Sequence, residues 1–170
     1  MTLGTTPSQT VGPYLAIGLP WPDGPDVVPD GTPGRIRIHG HVFDGAGDVI
    51  PDALIETWQA DPTGSYEAEG FRGFGRCPTD EEGAWGIFTL KPGRVDDEQA
   101  PHIDVSVFAR GMLNRTVTRI YFHDEDNAGD PVLATVPEAR RATLIAESSA
   151  DGYQFDVHVQ GARETVFFKL

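Results

Sequence analysis

With 170 residues, 39% hydrophobic and 23% charged, the chain has the material for one packed domain rather than a disordered segment. Its 13 Lys+Arg against 26 Asp+Glu leave a formal charge of -13 with no basic cluster, so nucleic acid is a poor partner and an anionic substrate would need a local cation. The single cysteine, Cys77, excludes an internal disulfide and a multi-cysteine metal site.

Met1 to Pro7 lacks the basic-then-apolar build of a signal peptide, and no apolar run is long enough to span a bilayer. The expectation is a cytoplasmic protein with no membrane partner. Residues 1–34 are rich in Pro and Gly and read as an N-terminal arm, with neither a central strand nor a helix. Val11, Tyr14, Leu15, Ile17, Leu19 and Trp21 are too apolar for a solvated tail, so the arm is expected to pack on something.

Residues 35–170 read as a β-sandwich domain. Arg35 to Phe43 alternates with period two and stops at the turn sequence Asp44-Gly45-Ala46-Gly47. Further strands are expected at 53–59, 84–90, 103–110, 116–122, 153–160 and 164–169, each rich in Val, Ile, Phe, Tyr or Thr. The one helical candidate is Pro137 to Glu147, where Ala139, Ala142, Leu144 and Ile145 line one face. Gly64 to Glu82 reads as a long connection, a kind that often carries function or meets a partner. The fold class is all-β, an antiparallel sandwich with an N-terminal arm and one short helix.

Chemistry is scarcer. In a strand, His39 and His41 share a face, as do His102 and Asp104, and imidazole with carboxylate suits a metal. A spacing of two also arises wherever one strand face is polar, and a metal held by this chain alone needs three or four converging ligands. Solvated or core-edge histidines are the plainer reading. Cys77 precedes Pro78 with no adjacent histidine and reads as structural. No nucleophile elbow, P-loop or dinucleotide fingerprint is present. Composition and pattern therefore end at an acidic β-sandwich.

Motifs in order along the chain go further. They are Thr6-Pro7-Ser8-Gln9-Thr10-Val11-Gly12-Pro13-Tyr14, Gly40-His41-Val42-Phe43-Asp44-Gly45 and Glu56-Thr57-Trp58-Gln59-Ala60-Asp61. Lys91-Pro92-Gly93, Ala100-Pro101-His102-Ile103, Phe108-Ala109-Arg110-Gly111, Arg119-Ile120-Tyr121-Phe122 and Gln160 to Phe168 follow. Together they resemble the intradiol ring-cleaving dioxygenases, ferric enzymes that open catechol rings with dioxygen.

The resemblance implies iron held by two tyrosines and two histidines. Tyr66 stands at the first tyrosine position, but Arg94 and Val95 follow Lys-Pro-Gly where the second belongs. The histidine pair falls on His102 and Asp104, and Gln99 stands where catalytic chains place an arginine. Tyr66, Val95, His102 and Asp104 are thus degenerate positions. The expectation is a subunit that binds no metal and has no catalytic residue of its own, working with a beta chain that carries Fe(III) in a hetero-oligomer. By motif match, Thr10, Gly12, Pro13, Tyr14 and Arg110 should border the substrate pocket at the subunit boundary, with Arg110 attracting the carboxylate of protocatechuate. The alternatives are a non-enzymatic transthyretin-like binding sandwich and an independent metalloenzyme using His39 and His41.

Overall fold

The alternating run at Arg35 forms strand β1 (Arg35–Phe43) in the computed structural model, which describes residues 4–169. Its period of two buries Ile38, Gly40 and Val42 and turns His39 and His41 to the other face. The expected runs also form β2 (Leu54–Trp58), β4 (Ala84–Leu90), β5 (His102–Phe108) and β6 (Thr116–Phe122). Two strands were not expected. β3 (Phe74–Pro78) lies inside the long connection, and β7 (Ile145–Ser149) takes the end of the expected helix.

The expected strand at 153–160 is two short ones, β8 (Gly152–Gln154) and β9 (Val157–His158). Between them Phe155 donates its N–H to the His39 carbonyl at 2.7 Å, and its own backbone lies where any side chain at Gly40 would collide. The stretch 164–169 is no strand; beyond one β-bridge, Val117 to Phe168, it is held by hydrogen bonds of Thr165 with His158 of β9 and from the Thr118 hydroxyl to the Val166 carbonyl.

The order is β3-β2-β5-β6-β7-β8-β1-β4, with β9 also on β1. This corrects the expected antiparallel sandwich: the fold is mostly β, but the sheet is mixed and barrel-like. Three pairings are parallel, β1 with β8, β1 with β9, and β6 with β7. A parallel pair needs a long crossover, and the segment between Phe122 and Ile145 supplies one. The two ends of the path also approach each other, since Gly86 of β4 donates its N–H to the Cys77 sulfur of β3 at 3.5 Å. Burial raises the Cys77 thiol pKa, which suits its structural reading.

The helix expectation also changes. The crossover holds α2 (Pro131–Ala134), α3 (Glu138–Arg141) and a 3-10 turn at Ala142–Leu144. Helical spacing continues beyond Leu144, but Ile145 pairs with Tyr121 of β6, and tertiary pairing overrides it. α2 was not expected; it starts where Asp130 caps the N–H groups of Val132 and Leu133 and Pro131 opens the first turn. The arm, expected to hold no helix, forms α1 (Tyr14–Gly18), with Pro13 at the N-cap, where its missing N–H costs nothing.

Ile38, Val42, Ile55, Trp85, Ile87, Ile103, Val105, Val107, Ile120 and Phe122 form the main core, and Val27 from the arm packs into it. A second, smaller core lies on the opposite face of β6, where Tyr121 meets Ala100, Leu133, Val136 and Leu144. The alternation that sends Ile103, Val105, Ile120 and Phe122 inward sends His102, Asp104, Arg119 and Tyr121 to this outer face. No helix among the described residues is long and apolar enough to cross a membrane.

Candidate functional site

Strand register assembles the outer face. Trp58 of β2 lies opposite Asp104 of β5, which lies opposite Arg119 of β6; one rung along, His102 lies opposite Tyr121. The Arg119 guanidinium donates through Nε to Asp104 Oδ1 at 2.9 Å and through Nη1 to Gln99 Oε1 at 3.1 Å. Asp96 holds Gln99 in turn, accepting from its backbone N–H and its side-chain amide.

The loop after β2 brings Tyr66 to this row. Gln59, almost wholly buried, donates Nε2 to the Leu90 carbonyl at 2.8 Å and accepts from the Thr89 hydroxyl, tying the end of β2 to the end of β4. Asp61 caps the turn by accepting from the N–H groups of Thr63 and Ser65, while its carbonyl accepts from Gly93 N–H. Gly64 has φ +89, and a Cβ there would strike the Arg94 carbonyl, while one on Gly93 would strike the Pro62 carbonyl, so the 59–66 and 91–95 segments touch because both residues are glycine. The result stacks Tyr66 on Trp58, with centroids 6.0 Å apart and planes 11° from parallel, and sets Val95 beside the Gly64 turn. The four degenerate positions therefore do gather in one region.

Burial and the Asp104 charge raise the Tyr66 pKa, so its phenol stays protonated at neutral pH. His102 is 3% exposed and burial lowers its pKa; its Nδ1 lies 2.8 Å from the Ala100 carbonyl, which can only accept, so Nδ1 carries the proton. Tyr121 is pushed up to about 12 by burial and donates to Asp130 at 3.0 Å. Asp130 also accepts from Ala100 N–H, which joins the α2 cap to the residues before β5.

The other expected site residues lie elsewhere. Val11 exchanges backbone hydrogen bonds with the turn after β5: its N–H donates to the Met112 carbonyl at 2.8 Å and its carbonyl accepts from Gly111 N–H at 3.2 Å. This ties the arm at Val11 to the two residues that follow closely on Arg110, and Thr10, Gly12, Pro13, Tyr14 and Arg110 are all exposed. Nothing lies within 4 Å of a Cβ built on Gly12, so no contact in this chain demands glycine there. Arg110 is not a free cation, because its Nη2 sits 2.7 Å from Asp52 Oδ2. β5 separates the two groups: His102 opens it, Arg110 lies beyond its far end, and six residue steps span roughly 20 Å.

His39 and His41 share a face as expected but are engaged separately, His39 with Ser149 at 3.2 Å and His41 with Asp156 at 3.6 Å. No group of three His, Cys, Asp or Glu converges as a metal site among the described residues. Sequence reasoning missed Arg119 and Asp52 as site neighbours. Both reveal themselves only once strand register and the β5–β6 turn are known.

The family described as Dioxygenase matches residues 12–161. The chain is 44% identical to the protocatechuate 3,4-dioxygenase alpha chain of Burkholderia cepacia, over 99% of both, and 35% identical to the beta chain of the same organism, over 77% of this chain and 66% of that one. Among solved structures it superposes on the dioxygenase domain of a dioxygenase carbohydrate-binding protein fusion from Streptomyces sp. SirexAA-E with TM-score 0.61 and 26% identity, over 92% of this chain and 100% of that one. The motifs expected from sequence, the mostly β fold and these full-length matches agree, and the chain belongs to the dioxygenase family, on the side of its protocatechuate 3,4-dioxygenase alpha chains.

Proposed function

We propose that the chain is the non-iron-binding alpha subunit of a protocatechuate 3,4-dioxygenase, assembled with a catalytic beta chain that holds Fe(III). The pair opens protocatechuate with O2 between its two hydroxyls to 3-carboxy-cis,cis-muconate. In this reading residues 1–34 pack on the beta chain, and Thr10, Gly12, Pro13, Tyr14 and Arg110 wall the substrate pocket there.

One observation carries the reading: the arm is tied through Val11 to Gly111 and Met112, next in the chain to Arg110, at the opposite end of β5 from the chain's own degenerate positions. An arm so placed does not serve the Tyr66–His102 region; it presents its residues to another molecule. The apolar side chains there support this, since Tyr14 is 81% exposed, Ile17 74% and Leu113 60%. A chain of charge -13 also gains from one positioned guanidinium when its substrate is a carboxylate.

The residues of the outer face do not fit a ferric ion. Val95 has no donor atom, Asp104 is bridged to Arg119, and His102 is buried with its ring fixed by Ala100. Iron supplies the activation of the catechol ring toward dioxygen, and we assign it to the partner. This chain's contribution is to bind and orient the substrate and keep water from one pocket wall.

Co-expression with a beta chain tests the assignment. The complex is expected to be coloured, to hold iron in proportion to the beta chain and to turn over protocatechuate, whereas the isolated chain does none of these. An isolated chain that holds stoichiometric iron and cleaves catechols defeats the reading.

A further inference from the structure

The outer face of β2, β5 and β6 poses an electrostatic question that the missing ligands do not answer. Asp104 stands partly buried in a row with Trp58 and beside Tyr66, and a carboxylate so placed requires a counter-charge. Arg119 provides it from the neighbouring strand, with a side chain only 18% exposed and both ends of its fork engaged, by Asp104 and by Gln99. Asp96 fixes Gln99 so that its oxygen faces the guanidinium. Tyr66 and His102 both feel the charges of Arg119 and Asp104, so the cation sits among the degenerate positions rather than outside them.

We propose that Arg119 is the resident cation of this region: it holds the electrostatic place a metal ion would take and closes the region to metal by charge, beyond the loss of ligand atoms. The inference rests on the reading that catalytic chains of this family hold Fe(III) at the matching positions. An arginine suits the task because its charge cannot be lost by deprotonation and its planar fork serves two acceptors at once. A trivalent ion brought to Asp104 would have to displace this cation or endure its repulsion, so restored ligands alone do not reopen the region.

The test compares ferric ion binding by the isolated full-length chain in two variants, Val95→Tyr/Asp104→His with Arg119 kept, and the same pair with Arg119→Gln added. Iron retained after gel filtration and the visible absorbance of tyrosinate-bound ferric ion are both read. The expected result is that the variant lacking Arg119 binds at least about tenfold more tightly. Equal binding by the two overturns the inference, and so does absence of binding in both, because charge is then not what bars the metal.

A second measurement decides the matter even if those variants do not fold. In a cycle of Arg119→Gln, Asp104→Asn and the double variant, the unfolding constants should be coupled by about threefold or more, with Arg119→Lys restoring part of the stability. Additive effects overturn the inference while leaving the subunit assignment intact. Stoichiometric iron in the unmodified isolated chain overturns both.

Discussion

Arg110 and Asp52 form an ion pair, Nη2 to Oδ2 at 2.7 Å, on the flank where the arm rejoins the sheet at Gly111. Arg110 is the more exposed member, its side chain 62% accessible against 20% for Asp52. Asp52 therefore steadies the guanidinium from below while other N–H donors remain for a ligand. In the assembled enzyme, Arg110→Ala is expected to raise KM for protocatechuate about tenfold to a hundredfold, the value of a charge-assisted hydrogen bond, with iron content unchanged. Asp52→Asn should raise it less. Catechol, which lacks the carboxylate, should show neither effect, and lost iron with unchanged KM would refute the role given to Arg110.

The Gly64 turn makes a separate prediction about stability. Gly64 and Gly47 both have positive φ, +89 and +91, but only at Gly64 would a Cβ meet the backbone of another segment. Gly47→Ala is expected to cost roughly 1 kcal/mol, the conformational penalty alone. Gly64→Ala should cost more and should also alter the near-ultraviolet circular dichroism of the Trp58–Tyr66 stack, because the turn that carries Tyr66 must move. Equal urea midpoints for the two variants would contradict the contact.

Acid stability follows from His102. Burial lowers its pKa below the ordinary 6.5, so the folded chain binds fewer protons at this site than the unfolded chain. The contribution is fully present above the unfolded value of 6.5 and is lost as pH falls below it. His39 and His158 are also lowered by burial and act in the same direction. Asp61 and Asp96 are held low by hydrogen bonds, and their contributions fade only in the carboxylate range. Urea midpoints should therefore fall between about pH 7 and about pH 5 in the unmodified chain and fall less steeply in His102→Asn.

Assembly should depend on the arm without much effect on the isolated fold. Ile17 is 74% exposed, so Ile17→Asp is expected to change the stability of the isolated chain by no more than about 0.5 kcal/mol. The same change should weaken association with the beta chain about tenfold or more, read by sedimentation of the mixed chains. Unaltered association would place the beta chain on another surface.

How far the sequence reaches can be judged element by element. Period-two alternation located β1 and β4 to the residue, because each has one face in a core and one outside, and the Val-, Ile-, Tyr- and Thr-rich run of β6, covered on both faces at Tyr121, was located as well. The sequence reading failed at β7, whose first residues, Ile145 to Glu147, fell inside the expected helix and become strand through pairing with Tyr121 and Phe122. β3 was hidden in a Gly- and Arg-rich stretch whose strand state rests on pairing with β2. Tyr66, His102 and Asp104 were legible as positions, and Val95 as a missing donor. Their surroundings were not.

The amino-acid order alone determined the inward and outward faces of the main strands, the turns between them, the acidity, and the absence of a second tyrosine and a second histidine from the motif positions. Those properties depend on residue identity and on neighbours one or two places away. Only the tertiary structure decided that Arg119 answers Asp104, that Asp52 answers Arg110, and that the arm meets the turn after β5 at Gly111 and Met112. These depend on strand register and on contacts between residues far apart in the chain, where a slip of one place moves a side chain to the opposite face and leaves its charge without a partner.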